Sequence, residues 1–363
     1  MIKTFRKWSS LAVLVPALLA AGCGSGAAPE SPAASQTEGT GSAQAELRKI
    51  TISEPVRVLS FAPIYVAIEK GYFQEEGIEV EIASGGGGSQ VMATLISGQV
   101  EFGVAAPSSV IKTYQTGKEV EVVQSINSSL TYDIVVNDQL FEEKGVDPNK
   151  ELTLEEKVEL LKGATMATNN IGDSGDTFLR YTMELYGAKP DDLEVVKISG
   201  LGPKIGSMKE GIIDGGINSA PFALETENQG VGKLLISSFE VPEYSNMAWE
   251  TIFAMKEFTE QNEELTVKVV RAVGKGIEFT RENPAESAQL IASYFEGTDP
   301  ALLEKGLTGL KNSFVGHGEM TKEMWDNAQK PLLKYPDMTG IKEAIDTNPD
   351  VVWTNKYLEK AFQ

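Results

Sequence analysis

The chain has 363 residues, 41% of them hydrophobic and 23% charged, and a formal net charge of −20. That length supports more than one hydrophobic core, and so acidic a protein repels nucleic acid and anionic membrane surfaces. With Cys23 as the one cysteine and His317 as the one histidine, an intrachain disulfide and a Cys/His zinc site are excluded. A Ser-His-Asp triad would have to use His317, which sits in Phe314-Val315-Gly316-His317-Gly318 with no G-x-S-x-G nearby, and it reads as a loop or edge residue.

Residues 1–22 read as an export signal. Lys3, Arg6 and Lys7 form a positive start, Leu11 to Leu19 a short apolar run, and Ala20-Ala21-Gly22 a small-residue approach to Cys23. The apolar run is too short for a transmembrane helix, which needs about 20 residues. The segment resembles the bacterial lipoprotein lipobox, which implies acylation of Cys23, as by palmitate, and a lipid anchor in the membrane. It departs from that pattern in having Ala20 three places before the cysteine, with Leu19 one place further away. Residues 23–47 then form a lipidated N-terminus and flexible linker, rich in Gly, Ala, Ser, Pro, Gln and Glu.

From Lys49 onward strand and helix signals alternate. Val56 to Leu59, Ile78 to Ile82, Val100 to Ala105 and Val120 to Val123 read as strands. Ile64 to Gly71, Gln90 to Ser97 and Ser109 to Thr116 read as helices. Such alternation predicts an α/β layer architecture with a largely parallel sheet.

The order then repeats. Ile78-Glu79-Val80 returns as Leu193-Glu194-Val195, and Ser84-Gly85-x-Gly87 as Ser199-Gly200-x-Gly202. Gly98-Gln99-Val100-Glu101-Phe102-Gly103-Val104 returns as Gly211-Ile212-Ile213-Asp214-Gly215-Gly216-Ile217, and Tyr132 to Val136 is echoed faintly in Glu250 to Ala254. So long a period is not a solenoid. It predicts two similar α/β lobes with a cleft between them, placed at 48–136 with 250–363 and at 137–249. Ligand pockets favour such interfaces and the carboxyl ends of parallel strands.

Three motifs carry a family resemblance. They are Ser60 to Phe73 followed by Glu76-Gly77-Ile78-Glu79-Val80; Gly86-Gly87-Gly88-Ser89-Gln90 with Leu95-x-x-Gly98-Gln99-Val100-Glu101-Phe102-Gly103; and Lys162-Gly163 with Gly172 to Tyr181. Over residues 49 to 280 the chain resembles the nitrate/sulfonate/taurine and thiamine-precursor (NMT1-like) group of ABC transporter substrate-binding proteins. The resemblance implies a periplasmic-binding-protein type II fold with two crossover strands, no catalysis and no cofactor. A eukaryotic branch of the superfamily is a suicide enzyme that uses a histidine and a cysteine-rich iron-binding motif, neither of which occurs in the matched region.

Loops that follow the parallel strands are the candidates for ligand contact. Phe61, Ala62, Pro63 and Tyr65 form the first group. Pro63 suits a first helical turn, and Tyr65 either walls a ligand or packs between helix and sheet. Gly87, Ser89 and Gln90 form the second, in a glycine loop that lacks the Gly-Lys-Ser/Thr ending of a nucleotide P-loop. Ser89 is a candidate N-cap there. Ala106, Pro107 and Ser108 form the third. Ser174, Gly175, Asp176 and Thr177 form the fourth, where a helix N-terminus favours an anion but Asp176 either caps that helix or contacts an amine or ring N–H. Asn218-Ser219-Ala220-Pro221 echoes the third, with Ser219 as its contact residue, and Tyr132 and Trp249 lie near the two crossovers. None of these loops holds Lys or Arg, and Arg180 and Lys204 are the nearest, so sulfonates, carboxylates and heteroaromatic compounds all stay open.

In the last third, Leu265 to Arg281 is an amphipathic helix, and Pro284 starts another that runs through Tyr294-Phe295. The expected protein is a monomeric, extracytoplasmic, lipid-anchored binding protein. It holds a small molecule, without a metal, for the permease and ATPase subunits of an ABC importer. The alternatives are a sensor that passes ligand occupancy to a membrane receptor, and an enzyme on the same fold.

Overall fold

The computed structural model describes residues 46–314 and 316–363, so the export signal, Cys23 and nearly all of the linker lie outside the described residues. Among the described residues, ten strands form two five-stranded sheets. They are β1 (Arg48–Glu54), β2 (Ile78–Ser84), β3 (Phe102–Ala105), β4 (Val120–Asn127), β5 (Tyr132–Asn137), β6 (Thr165–Thr168), β7 (Glu194–Lys197), β8 (Gly215–Ser219), β9 (Gly232–Ser237) and β10 (Trp249–Met255). The first sheet has the order β2-β1-β3-β10-β4 and the second β7-β6-β8-β5-β9.

Both sheets are built to one plan. β1 pairs in parallel with β2 and β3, as β6 does with β7 and β8. Each sheet is completed by one antiparallel strand from the other half of the chain: β10 lies between β3 and β4, and β5 between β8 and β9. The faint echo of 132–136 in 250–254 is therefore an exchange of equivalent strands. It also moves a lobe boundary, because Tyr132 to Val136, expected in the first lobe, hydrogen-bond in the second sheet. The chain crosses between sheets at 128–131 and 238–248, and the two crossings bond to each other through Leu130 N to Tyr244 O at 3.0 Å and Met247 N to Ser128 O at 2.9 Å.

The repeated motif has a structural explanation. Glu101 accepts the Thr51 amide at 2.8 Å, and its counterpart Asp214 accepts the Thr165 amide at 2.7 Å, so each acid satisfies a donor on the neighbouring strand. The glycines make room for the exchanged strand. A Cβ on Gly103 would lie 2.6 Å from the Phe253 ring, and one on Gly215 would lie 2.3 Å from Val135 O.

Helices cover both sheets. Ala62–Glu69 packs against the long amphipathic helix Glu263–Glu282, whose Gly276 permits contact so close that a Cβ would meet Pro63 O at 2.2 Å. Trp325 and Trp353 anchor a core on the opposite face with Val91, Val110 and Phe253. The edge strand β4 does not stay open, because residues 352–354 bond to both sides of Val122. The helix Lys322–Lys334 touches Pro107–Gln115 of the first lobe and Ser174–Leu185 of the second.

Two local expectations are corrected. Residues 56–59 are not a strand. The first strand is Arg48–Glu54, and Pro55, which lacks an N–H, follows at its end, leaving 56–58 as a connection into a short 3-10 turn at Leu59–Phe61. Ser89 is not the N-cap of its helix. That helix, Gly87–Ile96, is capped by Gly86 at φ 83°, a left-handed conformation favourable to glycine, and Ser89 lies inside the first turn. Pro284 does begin a helix, Pro284–Leu290, followed by a separate 3-10 turn at Ala292–Tyr294. His317 lies in a loop, its ring stacked on Phe362 at 3.7 Å between centroids.

Candidate ligand-binding cleft

A cavity of about 410 Å³ lies between the lobes at the carboxyl ends of the parallel strands. Gly87, Ser89, Ala106 and Ser108 reach it from the first lobe, Ser174 and Ser219 from the second, and Tyr132 from the start of the exchanged strand β5. The lobes meet directly across it. The Ser108 and Ser174 hydroxyls are 2.7 Å apart, Lys112 Nζ donates to Gly172 O at 3.0 Å, and Leu59 N donates to Ala220 O at 2.8 Å. Ile96 and Ile171, one from each lobe, line the cavity while staying exposed to solvent.

Several expected residues lie elsewhere. Phe61, Ala62 and Tyr65 are fully buried in the core of the first lobe and Pro63 is buried in the same helix. The 3-10 turn leads straight into the helix and rotates these side chains inward. Tyr65 is the packed residue, not a wall of the cleft: its hydroxyl donates to Glu54 and its ring stacks on Tyr294 at 4.6 Å. Pro55, Val56 and Val58 take the place of this group on the cavity wall. Gln90 is exposed and does not line the cavity, and neither does Gly175. Asp176 is fully buried, accepts the Gly172 amide at 2.8 Å and pairs with Arg180 at 2.7 Å, so it faces away from the cleft. The cap of its helix is Asp173, which accepts the Asp176 amide at 2.9 Å. Pro107, Thr177 and Trp249 line a separate small apolar recess whose wall includes Ser108 and Ser174. Trp249 donates its Nε1 to Thr131 Oγ1 at 3.2 Å and packs edge-on against Tyr132 at 5.2 Å.

The cavity wall also carries polar residues that were not among the expected contacts, notably Lys112, Asn169, Asn170, Asp173 and Glu250. Lys112 is four residues after Ser108 and so lies on the same helix face, a signal that could have found it. The asparagines open the loop that follows β6, where parallel strands present ligand loops. Glu250 follows Trp249, and its φ of 48° is the left-handed conformation that a side chain of this size rarely takes. Asn218, expected in a loop, lies with Ser219 at the end of strand β8 and also lines the wall.

The wall is polar but short of positive charge. Lys112 has its proton affinity lowered by burial, against a smaller opposing pull from Asp173. Burial raises the Asp173 carboxyl, although the amides of Asp176 and Asn170 hold it down. Glu250 is 4% exposed, and burial followed by the neighbouring Glu54 carboxylate pushes its pKa up to about 8. Glu54 is compensated by Arg57 at 2.6 Å and by Tyr65, whereas Glu250 has neither a hydrogen-bond partner nor an ion pair among the described residues. Behind the wall, buried Lys204 donates to Asn169 Oδ1 at 2.9 Å and to Ile217 O at 2.7 Å, tying the loop after β6 to strand β8; burial lowers its pKa to about 8.

Comparison with known proteins places this architecture. The riboflavin-binding protein RibY of Chloroflexus aurantiacus is 27% identical over 78% of this chain and 77% of its own. The formylaminopyrimidine-binding protein of Halalkalibacterium halodurans is 23% identical over 66% of this chain and 69% of its own. The periplasmic nitrate-binding protein NrtA from Synechocystis PCC 6803 superposes with a TM-score of 0.69 at 16% identity, covering 87% of this chain and 88% of that one, which makes the fold that of the periplasmic binding proteins. The NMT1/THI5-like family model matches residues 59–287, the greater part of both lobes, and the chain belongs to that family.

Proposed function

We propose that this protein is an extracytoplasmic solute-binding lipoprotein that captures a small organic molecule in the interlobe cleft and delivers it to an ABC importer. The observation that carries the reading is the cavity itself. It is walled by both lobes and bridged by bonds that hinge opening would break, the arrangement of a protein that closes around a ligand. The RibY and formylaminopyrimidine-binding relatives support a binding role. No described helix is long and apolar enough to cross a membrane; in this reading the lipobox-like approach to Cys23 supplies the membrane attachment by acylation of that cysteine.

Among sulfonates, carboxylates and heteroaromatic compounds, the wall favours the last. Its second-lobe helix N-terminus is already occupied by the Asp173 carboxylate, and among the described residues Lys112 is the one cation on the wall, with no arginine beside it.

A thermal-shift series on the full chain tests the function. Sulfonates, nitrate, carboxylates, pyrimidines and flavins are compared, and a ligand at a hundredfold excess over Kd adds about 2.7 kcal/mol of stability. A shift with pyrimidines or flavins, together with importer subunits that copurify, is the expected result. Transport that continues unchanged after deletion of the protein would refute the importer role. Cys23→Ala is expected to move the protein from the membrane fraction to the soluble fraction, and an unacylated mature N-terminus by mass spectrometry would refute the anchor.

A further inference from the structure

Besides the two crossings, the lobes share a connection near the end of the chain. The helix Lys322–Lys334 starts on the second crossing, where Ala248 N donates to Met324 O at 3.2 Å and Asn327 Nδ2 to Asn246 O at 2.9 Å. Trp325 is buried in the first-lobe core and Ala328 in the second-lobe core. Three residues later Pro331 lies inside the helix. It has no N–H, so a rung of the backbone ladder is missing there, and helices bend at such points.

After Pro331 the chain reaches out to the second lobe and returns. Leu332 and Ile341 are both buried in the first-lobe core, and residues 333–340 form a tip between them. Lys334 pairs with Glu184 at 3.0 Å, and the Tyr335 hydroxyl donates to the same carboxylate at 2.7 Å, with Arg180 O 3.3 Å away. Gly172 is held from two sides. Its carbonyl accepts Lys112 Nζ at 3.0 Å, and a Cβ on it would lie 2.3 Å from Met338 O. Gly172 lies on the cleft wall, and so does Ser174, which begins the helix that carries Arg180 and Glu184. At 1.5 Å per residue, Lys334 is about 10 Å further along its helix than Asn327, so the tip grips the second lobe well away from the crossing.

The grip is weak enough to release. The Lys334 and Glu184 side chains are 49% and 38% exposed, and ion pairs so open to water contribute little. A cavity of about 510 Å³ beside them separates Asp191 of the second lobe from Asp337 of the tip.

We propose that residues 322–341 are a clasp. Its base rides on the hinge, its tip moves with the first lobe, and release of Glu184 and Gly172 by the tip lets the lobes open. The clasp sets the population of the open form from the outer surface, without touching the ligand. It rests on the hinge closure proposed above and goes beyond it.

Hydrogen exchange of the full chain, with no ligand added, tests the clasp. The Leu59 amide is the reporter. It is fully buried and donates to Ala220 O at 2.8 Å across the cleft, so it exchanges when the lobes part. The Asn137 amide, which donates to Asp214 O at 2.7 Å within the second lobe, reports unfolding. Tyr335→Phe keeps the ring, and Glu184→Gln removes the grip from the other side. Each is expected to speed exchange at Leu59 about 2- to 10-fold, the effect of losing one hydrogen bond from the closed form, and to leave Asn137 unchanged. A variant that does not fold leaves the other to be read. Exchange at Leu59 unchanged, or raised alike at Leu59 and Asn137, overturns the clasp and leaves the solute-binding function standing. Wild-type exchange as slow at Leu59 as at Asn137 would mean that the lobes part only on unfolding, and overturns the clasp and the hinge closure together.

Discussion

Replacing Glu250 by Gln isolates the energetic consequence of an acid in the cleft floor. Burial, and then Glu54, raise the carboxyl from 4.5 to about 8. At ~1.36 kcal/mol per tenfold change in proton affinity, keeping Glu250 ionised costs the folded protein on the order of 5 kcal/mol. A carboxyl with a raised pKa holds its proton longer in the folded state than in the unfolded chain. Its contribution to stability is therefore complete below pH 4.5 and is lost as the pH rises through about 8. Glutamine fills nearly the same volume and does not titrate. Urea unfolding of wild type and Glu250→Gln at intervals from pH 4.5 to 8.5 cancels the other groups in the difference between the two curves. That difference is expected to move in favour of glutamine by several kcal/mol across the range, most of it by pH 8. A difference that stays flat would mean that Glu250 already has a partner or is well solvated, and the reasoning about the cleft floor would be wrong.

Three other outcomes follow from the same structure. Lys112→Ala removes the bond to Gly172 O across the cleft, worth ~1 kcal/mol, and shifts the balance toward open lobes; a scattering radius of gyration unchanged from wild type would contradict it. Gly276→Ala places a methyl group 2.2 Å from Pro63 O and is expected to cost ~1–3 kcal/mol by forcing the two helices apart, so an unaltered melting temperature would show that the contact is softer than described. Asp173→Ala leaves the Asp176 and Asn170 amides without their acceptor and should lower stability by ~1–2 kcal/mol; equal stability in denaturant unfolding would remove Asp173 from the capping role.

Much of the architecture was legible in local pattern. Strand-helix alternation and the recurrence of Gly98 to Val104 as Gly211 to Ile217 announced two equivalent sheets, because the same backbone problem recurs in each: an acid to accept a neighbouring strand's amide. The loops and helix starts that follow the parallel strands bring Gly87, Ser108, Ser174 and Ser219 to the cavity wall. Tyr65 shows the limit of that guide, since its loop follows a parallel strand and yet the 3-10 turn at Leu59–Phe61 rotates the tyrosine into the core.

By itself, then, the sequence determined the layer class, the duplication and the region of each lobe that faces its partner, since these depend on periodicity and on neighbours a few residues apart. Only the tertiary structure decided which sheet receives β5 and β10, that Asp176 turns to Arg180 while Asp173 caps, and that Asn218 and Glu250 line one cavity. Whether a polar side chain is paired or left free for a ligand depends on segments far apart in the chain, and no local pattern records that.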